Sequence, residues 1–305
     1  MISRRNLLGV ASVTAATTSL MLPRRARAAS GSPRAVLARD GAEIHVKDWG
    51  SGSCVVLSHG WPLNADSWDS LACVLVDAGY RVIAHDRRGC GRSSQAARGY
   101  DYDTFAADLE SVLKALNVRD ATLVGYSMGG GEVVRYLARY GSKRVRKLAL
   151  VAAALPYLSK TRDNPAGVDP LVFEDLKRGL LGDRPAFLDG LMRDVIYDTS
   201  IQGRTAISEQ TLMWSRQMGL QAGLLGLLAC VDTFGKTDLR ADLAAIDVPT
   251  LILHGTLDKP VPFALAQLTH ARIASSKLIE YVGASHGILV SERERVAKDL
   301  LAFIA

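Results

Sequence analysis

The chain has 305 residues, 37 Lys+Arg against 31 Asp+Glu, four Cys and 48% hydrophobic residues. This composition belongs to a globular chain able to bury a large core, and it excludes a disordered polyampholyte and a disulfide scaffold. No interior run approaches the roughly 18 apolar residues of a membrane span, and the net charge of +6 suggests nucleic acid only if the charges cluster on the folded domain.

Residues 1–28 read as an address. Ser3-Arg4-Arg5-Asn6-Leu7-Leu8 resembles a twin-arginine export motif. A mildly apolar stretch follows over 7–22, and Ala26-Arg27-Ala28 fits an A-x-A cleavage pattern. The expectation is cleavage after Ala28 and export to the periplasm or beyond. The mature domain would then cover 29–305, with no stable membrane insertion. The signal holds five Arg and no acid, so 32 Lys+Arg face 31 Asp+Glu in the remainder. That balance removes the electrostatic case for nucleic acid.

Strand-length runs and helix-period segments then alternate. Residues 42–49 alternate apolar and polar, 54–58 read as a buried strand, and 66–78 carry Trp68, Leu71, Val74 and Leu75 at helical spacing. A strand over 80–84, an amphipathic helix over 104–116, a strand over 121–124, a helix over 130–140 and a strand over 148–151 follow. From about 155 to 234 the rhythm gives way to helical segments without strands. It resumes with a strand over 250–253, a helix over 262–273, a strand over 277–282 and a helix over 291–304. This pattern predicts one α/β domain, a mostly parallel sheet with helices on both faces and a helical cap insertion over 155–234. Cys54, Cys73, Cys90 and Cys230 fall in a strand, a helix, a loop and a helix end, with no basis for pairing.

Gly125-Tyr126-Ser127-Met128-Gly129 fits G-x-S-x-G between a strand and a helix, the setting of a nucleophile elbow. Such a turn lifts the Ser127 hydroxyl clear of the sheet. It also points the Met128 N–H at a developing oxyanion. A serine nucleophile needs a base, and the base needs an orienting acid. The chain order Ser, Asp, His selects His286, in Ser285-His286-Gly287, with His254 as the second candidate. The acid candidate is Asp258, in the loop after the strand 250–253; its plainer reading is a helix cap before Pro262. Asp86, followed by Arg87-Arg88-Gly89, reads as a structural turn held by Asp–Arg pairs. His59-Gly60-Trp61-Pro62 occupies the loop expected to give the second oxyanion donor, the Trp61 N–H. Pro62, Tyr126, Trp214 and Met218 are the candidate pocket residues.

The set His59-Gly60-Trp61-Pro62-Leu63, Asp86-Arg87-Arg88-Gly89, Gly125-Tyr126-Ser127-Met128-Gly129-Gly130-Gly131-Glu132, His254-Gly255 with Asp258, and Ser285-His286-Gly287 resembles the α/β-hydrolase superfamily. More narrowly it is similar to the cofactor-free bacterial haloperoxidases, also described as perhydrolases and arylesterases, over about 35–305, including Asn164-Pro165-Ala166-Gly167. Cys90 stands where that family usually has His, and Thr256-Leu257 where a second Asp is common. The resemblance implies an eight-stranded sheet and ester hydrolysis through an acyl-enzyme on Ser127, with no cofactor and no metal. It further implies perhydrolysis of small carboxylic acids with hydrogen peroxide, favoured by Pro62 beside the oxyanion loop. The rival readings are a C–C bond or lactone hydrolase using the same triad, and a non-catalytic binding protein on the same fold. Dehalogenases and epoxide hydrolases of this fold use an Asp nucleophile, which Ser127 argues against.

Overall fold

The computed structural model describes residues 34–201 and 206–305; the stretch read as an export signal, 1–28, lies outside the described residues. The strands are β1 (Ala35–Leu37), β2 (Glu43–Trp49), β3 (Cys54–Ser58), β4 (Arg81–His85), β5 (Ala121–Tyr126), β6 (Val145–Val151), β7 (Thr250–Gly255) and β8 (Ser276–Tyr281). They form one eight-stranded sheet in the order β1-β2-β4-β3-β5-β6-β7-β8. β2 runs antiparallel to β1 and β4; the pairings from β4 to β8 are parallel.

Parallel neighbours need crossovers, and helices supply them. α1 (Asp69–Asp77), α2 (Tyr102–Ala115) and α3 (Met128–Tyr140) connect the strands from β3 to β6. Between β6 and β7 lie α4 (Pro170–Leu181), α5 (Arg184–Gly190), a π-helical turn Leu191–Ile196, α6 (Glu209–Gln221) and α7 (Leu224–Lys236). α8 (Phe263–His270), α9 (Ile288–Ser291) and α10 (Arg293–Ile304) complete the chain. β3, β5 and β7 are buried at every position. Helices cover both faces of these central strands, so their sequences read as apolar runs rather than alternations. β2, nearer the edge, keeps the alternation.

Local chemistry sets the boundaries. The Asp101 carboxylate accepts the Thr104 N–H at 2.8 Å and starts α2. The Asn64 side chain accepts the Asp66 N–H at 3.0 Å, so the helix expected over 66–78 opens as a 3-10 turn, Ala65–Trp68, before α1. β1 is too short to show a period, and the sequence pattern missed it. Cys230 lies inside α7 rather than at its end.

The segment after β6 docks over the carboxyl edge of the sheet. The Trp61 indole donates to the Leu227 carbonyl at 3.2 Å, Gly223 N–H to Gly89 at 2.9 Å, and Gly287 N–H to Ile196 at 2.8 Å. Among the described residues no single helix is long and apolar enough to cross a membrane.

Candidate active site

β5 ends at Tyr126 and α3 begins at Met128, so Ser127 alone makes the turn. Its φ of 52° and ψ of −120° are costly for a residue with a Cβ. The surroundings hold it there. Its N–H donates to Val151 O at 3.0 Å, and its carbonyl accepts from Gly130 at 2.9 Å and Ala154 at 3.0 Å. A Cβ on Gly129 would strike the Ser58 carbonyl, and one on Gly60 would come within 3.0 Å of Ser127 Cβ. Only glycine lets these two backbones close around the serine.

The loops after β7 and β8 bring Asp258 and His286 to the same edge, where sites of open α/β sheets collect. His286 Nε2 lies 2.9 Å from Ser127 Oγ, and His286 Nδ1 lies 2.7 Å from Asp258 Oδ2. Asp258 Oδ1 accepts the Val261 N–H at 2.8 Å. One oxygen of the carboxylate thus caps the turn while the other faces His286. Burial alone would raise the Asp258 pKa, but the His286 and His254 rings outweigh it and hold the carboxyl at about 2. His254 Nε2 sits 3.2 Å from the same Asp258 oxygen. The second candidate base therefore contacts Asp258, while His286 reaches Ser127.

Met128 opens α3, so its amide is among the first-turn N–H groups that lack an intrahelical acceptor and carry the positive end of the helix dipole. Trp61 is aimed by its own peptide unit. The Gly60 carbonyl accepts from His59 Nδ1 at 2.9 Å and from the Leu63 N–H at 3.0 Å. The C=O and N–H of one planar trans peptide point opposite ways, so these bonds fix the direction of the Trp61 N–H.

A buried ion pair braces the His59 loop against α3, and sequence reasoning did not find it. Arg87 donates to Glu132 Oε2 at 2.7 Å, to the His59 carbonyl at 2.8 Å and to Ser58 Oγ at 3.2 Å. Glu132 lies one turn into α3 from Met128, and its other oxygen meets His85 Nε2 at 2.8 Å. Burial opposes the Glu132 charge, yet Arg87 and His85 hold its pKa at about 2. Asp86, as expected, caps its turn, accepting from Ala65 N–H and Arg92 N–H, each at 2.8 Å. Cys90 is buried beside this network.

Ser127 and His286 open into a cavity of about 270 Å³. Its walls are mainly apolar, with Leu158, Val172, Phe173, Leu191, Ile196 and Phe234 contributed by the segment between β6 and β7. Trp61 also lines it, 5.5 Å from the Phe234 ring. The four candidate pocket residues need correction: Pro62, Tyr126, Trp214 and Met218 do not form this lining. Pro62 faces α6, where a Cβ on Gly219 would come within 3.3 Å of it. Tyr126 turns beneath His286, its hydroxyl 3.3 Å from the His286 carbonyl. Met218 is buried on the inner face of α6, and Trp214 is 38% exposed.

A family model described as alpha/beta hydrolase fold matches residues 54–292. The chain is 42% identical over 269 residues to a non-heme chloroperoxidase of Kitasatospora aureofaciens, covering 87% of this chain and 97% of that protein. It is 40% identical over 272 residues to a bifunctional esterase/perhydrolase of Acinetobacter calcoaceticus, covering 88% and 98%. A bromoperoxidase of Bacillus anthracis matches it with a TM-score of 0.84 at 41% identity, covering 88% and 98%.

Proposed function

Because this chain belongs to the α/β-hydrolase fold family, and within it to the group of the non-heme chloroperoxidases, we propose that it hydrolyses small carboxylic esters through an acyl-enzyme on Ser127 and also forms peracids with hydrogen peroxide. The observation that carries this reading is the continuous contact from Asp258 through His286 to Ser127, at 2.7 and 2.9 Å, on the wall of an apolar cavity.

Ser127 Oγ attacks the ester carbonyl while His286 Nε2 takes its proton. Asp258 holds the ring by Nδ1 and stabilises the cation that forms. The Met128 and Trp61 amides receive the oxyanion, each such donor contributing about 3–4 kcal/mol in related chemistry. The alcohol leaves with the proton from His286. Water, deprotonated by His286, then releases the acid. Hydrogen peroxide attacking the same acyl carbon releases a peracid instead, and regenerates Ser127 with no net redox change at the enzyme. The peracid oxidises halide in solution. Pro62 favours the peroxide step by shaping the oxyanion loop. The segment 155–234 acts as the cap that selects substrate, and residues 1–28 direct the folded domain 29–305 out of the cytoplasm.

The test is a panel of aryl esters of increasing acyl length, with and without peroxide, on wild type and Ser127→Ala. The serine variant is expected to lose both activities by at least about 10⁴-fold; full activity in it defeats the reading. Pro62→Leu should lower the ratio of perhydrolysis to hydrolysis, and an unchanged ratio removes Pro62 from the account.

A further inference from the structure

The proposed triad leaves one buried ring on its acid without a role. His254 lies near the end of strand β7 and is 1% exposed. Its Nε2 is 2.9 Å from the Val261 carbonyl and 3.2 Å from Asp258 Oδ2, the oxygen that His286 Nδ1 meets at 2.7 Å. A carbonyl and an ionised carboxylate are both acceptors. A bare lone pair on Nε2 would face two oxygens at close range. The hydrogen therefore sits on Nε2, shared between them.

The three groups close a small circuit. Asp258 Oδ1 takes the Val261 N–H, Val261 O takes the His254 ring, and the ring leans on Asp258 Oδ2. Rotation of the carboxylate away from His286 would break bonds on both of its oxygens. We infer that His254 is a positioning residue, which donates a second contact to Asp258 Oδ2 and through it sets the orientation of His286. This inference rests on the triad reading above.

The other groups facing this cluster are Ser127 and Tyr126 at the end of β5, Tyr197 beyond the π-helical turn, and the Lys259–Asp198 ion pair at 2.7 Å. Phe263 of α8 packs on His254 at 6.1 Å between ring centres and brings no charge.

The test compares wild type, His254→Phe, His254→Gln and Ser127→Ala as intact enzymes, reading kcat and KM for one aryl ester across the pH range. His254→Phe should lower kcat about tenfold, the order of one hydrogen bond to a charged group, with KM changed far less. His254→Gln, which can place an amide N–H near the Nε2 position, should recover kcat. Nitrogen NMR of the wild type should show the His254 proton on Nε2, a readout that does not depend on any variant folding. An unprotonated Nε2, or a His254→Phe enzyme with the wild-type kcat, overturns the inference. So does a folded His254→Gln no better than His254→Phe. An active Ser127→Ala defeats the triad reading itself. An inactive Ser127→Ala beside an unaltered His254→Phe defeats only the role of His254.

Discussion

The grip of His59 on the loop that follows β3 gives a stability signature with a definite pH window. Nδ1–H donates to the Gly60 carbonyl, and Nε2 accepts the Arg87 N–H at 2.9 Å. Both ring nitrogens are used in the neutral form. Burial, and then the Arg87 guanidinium, push the His59 pKa well below the ordinary histidine value. A proton on Nε2 would turn one N–H against another beside a buried cation. In the unfolded chain His59 takes that proton below about pH 6.5, whereas in the folded protein it does not. The unfolded state then binds more protons, so stability falls as pH falls below 6.5, by about 1.4 kcal/mol per pH unit for one site. Between pH 6.5 and 5 the loss from His59 approaches about 2 kcal/mol. This window lies above the carboxylate range, where Asp258, Glu132 and Asp86 lose their own contributions as pH falls through 4.5 toward 2. His45, also lowered chiefly by burial, adds a loss of the same sign. The assay is therefore a difference: urea unfolding of wild type and His59→Gln at several pH values from 8 to 5. The variant should be less stable at pH 8 and should lose less stability on acidification. Parallel pH slopes for the two proteins would refute the claim that the folded state holds His59 neutral.

Glu132→Leu leaves the buried Arg87 guanidinium unpaired and should cost about 3–5 kcal/mol in urea unfolding at pH 8, more than Glu132→Gln; equal stability of Glu132→Leu and wild type would contradict the brace. Phe173, packed 6.2 Å from Phe234 on the cavity wall, limits the space beside Ser127. Phe173→Ala should move the optimum of an ester panel to a longer acyl chain, whereas a uniform loss across all lengths would count against it.

The legible part of the site was the part encoded by short-range pattern. Ser127 stood between a strand and a helix in a motif whose glycines have a steric cause, and the structure shows that cause at Gly129 and Ser58. Asp258 and His286 followed from chain order and from their places after strands at one edge of the sheet. The sheet was legible because β3, β5 and β7 are continuous apolar runs. The brace was not legible, because His59, Arg87 and Glu132 belong to loops and a helix that meet only through the strand order β4-β3-β5. A hint lay in Glu132, a charged residue one helical turn past the elbow in a helix start of glycines. The cavity wall was equally hidden. Trp214 and Met218 share helical spacing, yet docking of α6 buries one and leaves the other 38% exposed. Tyr126 adjoins Ser127 in sequence, but the turn sends neighbouring side chains in opposite directions, and Tyr126 ends beneath His286. Sequence adjacency says little about which surface a side chain faces.

The most direct test of the account is covalent capture of the nucleophile. The enzyme would be treated with an aryl phosphonate ester and digested, and the modified peptide mapped by mass spectrometry, with ester hydrolysis and peracid formation followed during labelling. One phosphonyl group should appear on Ser127, both activities should fall in step with its incorporation, and His286→Ala should label far more slowly. Incorporation at another residue, or peracid formation that persists after Ser127 is fully modified, would contradict a single acyl-enzyme serving both reactions.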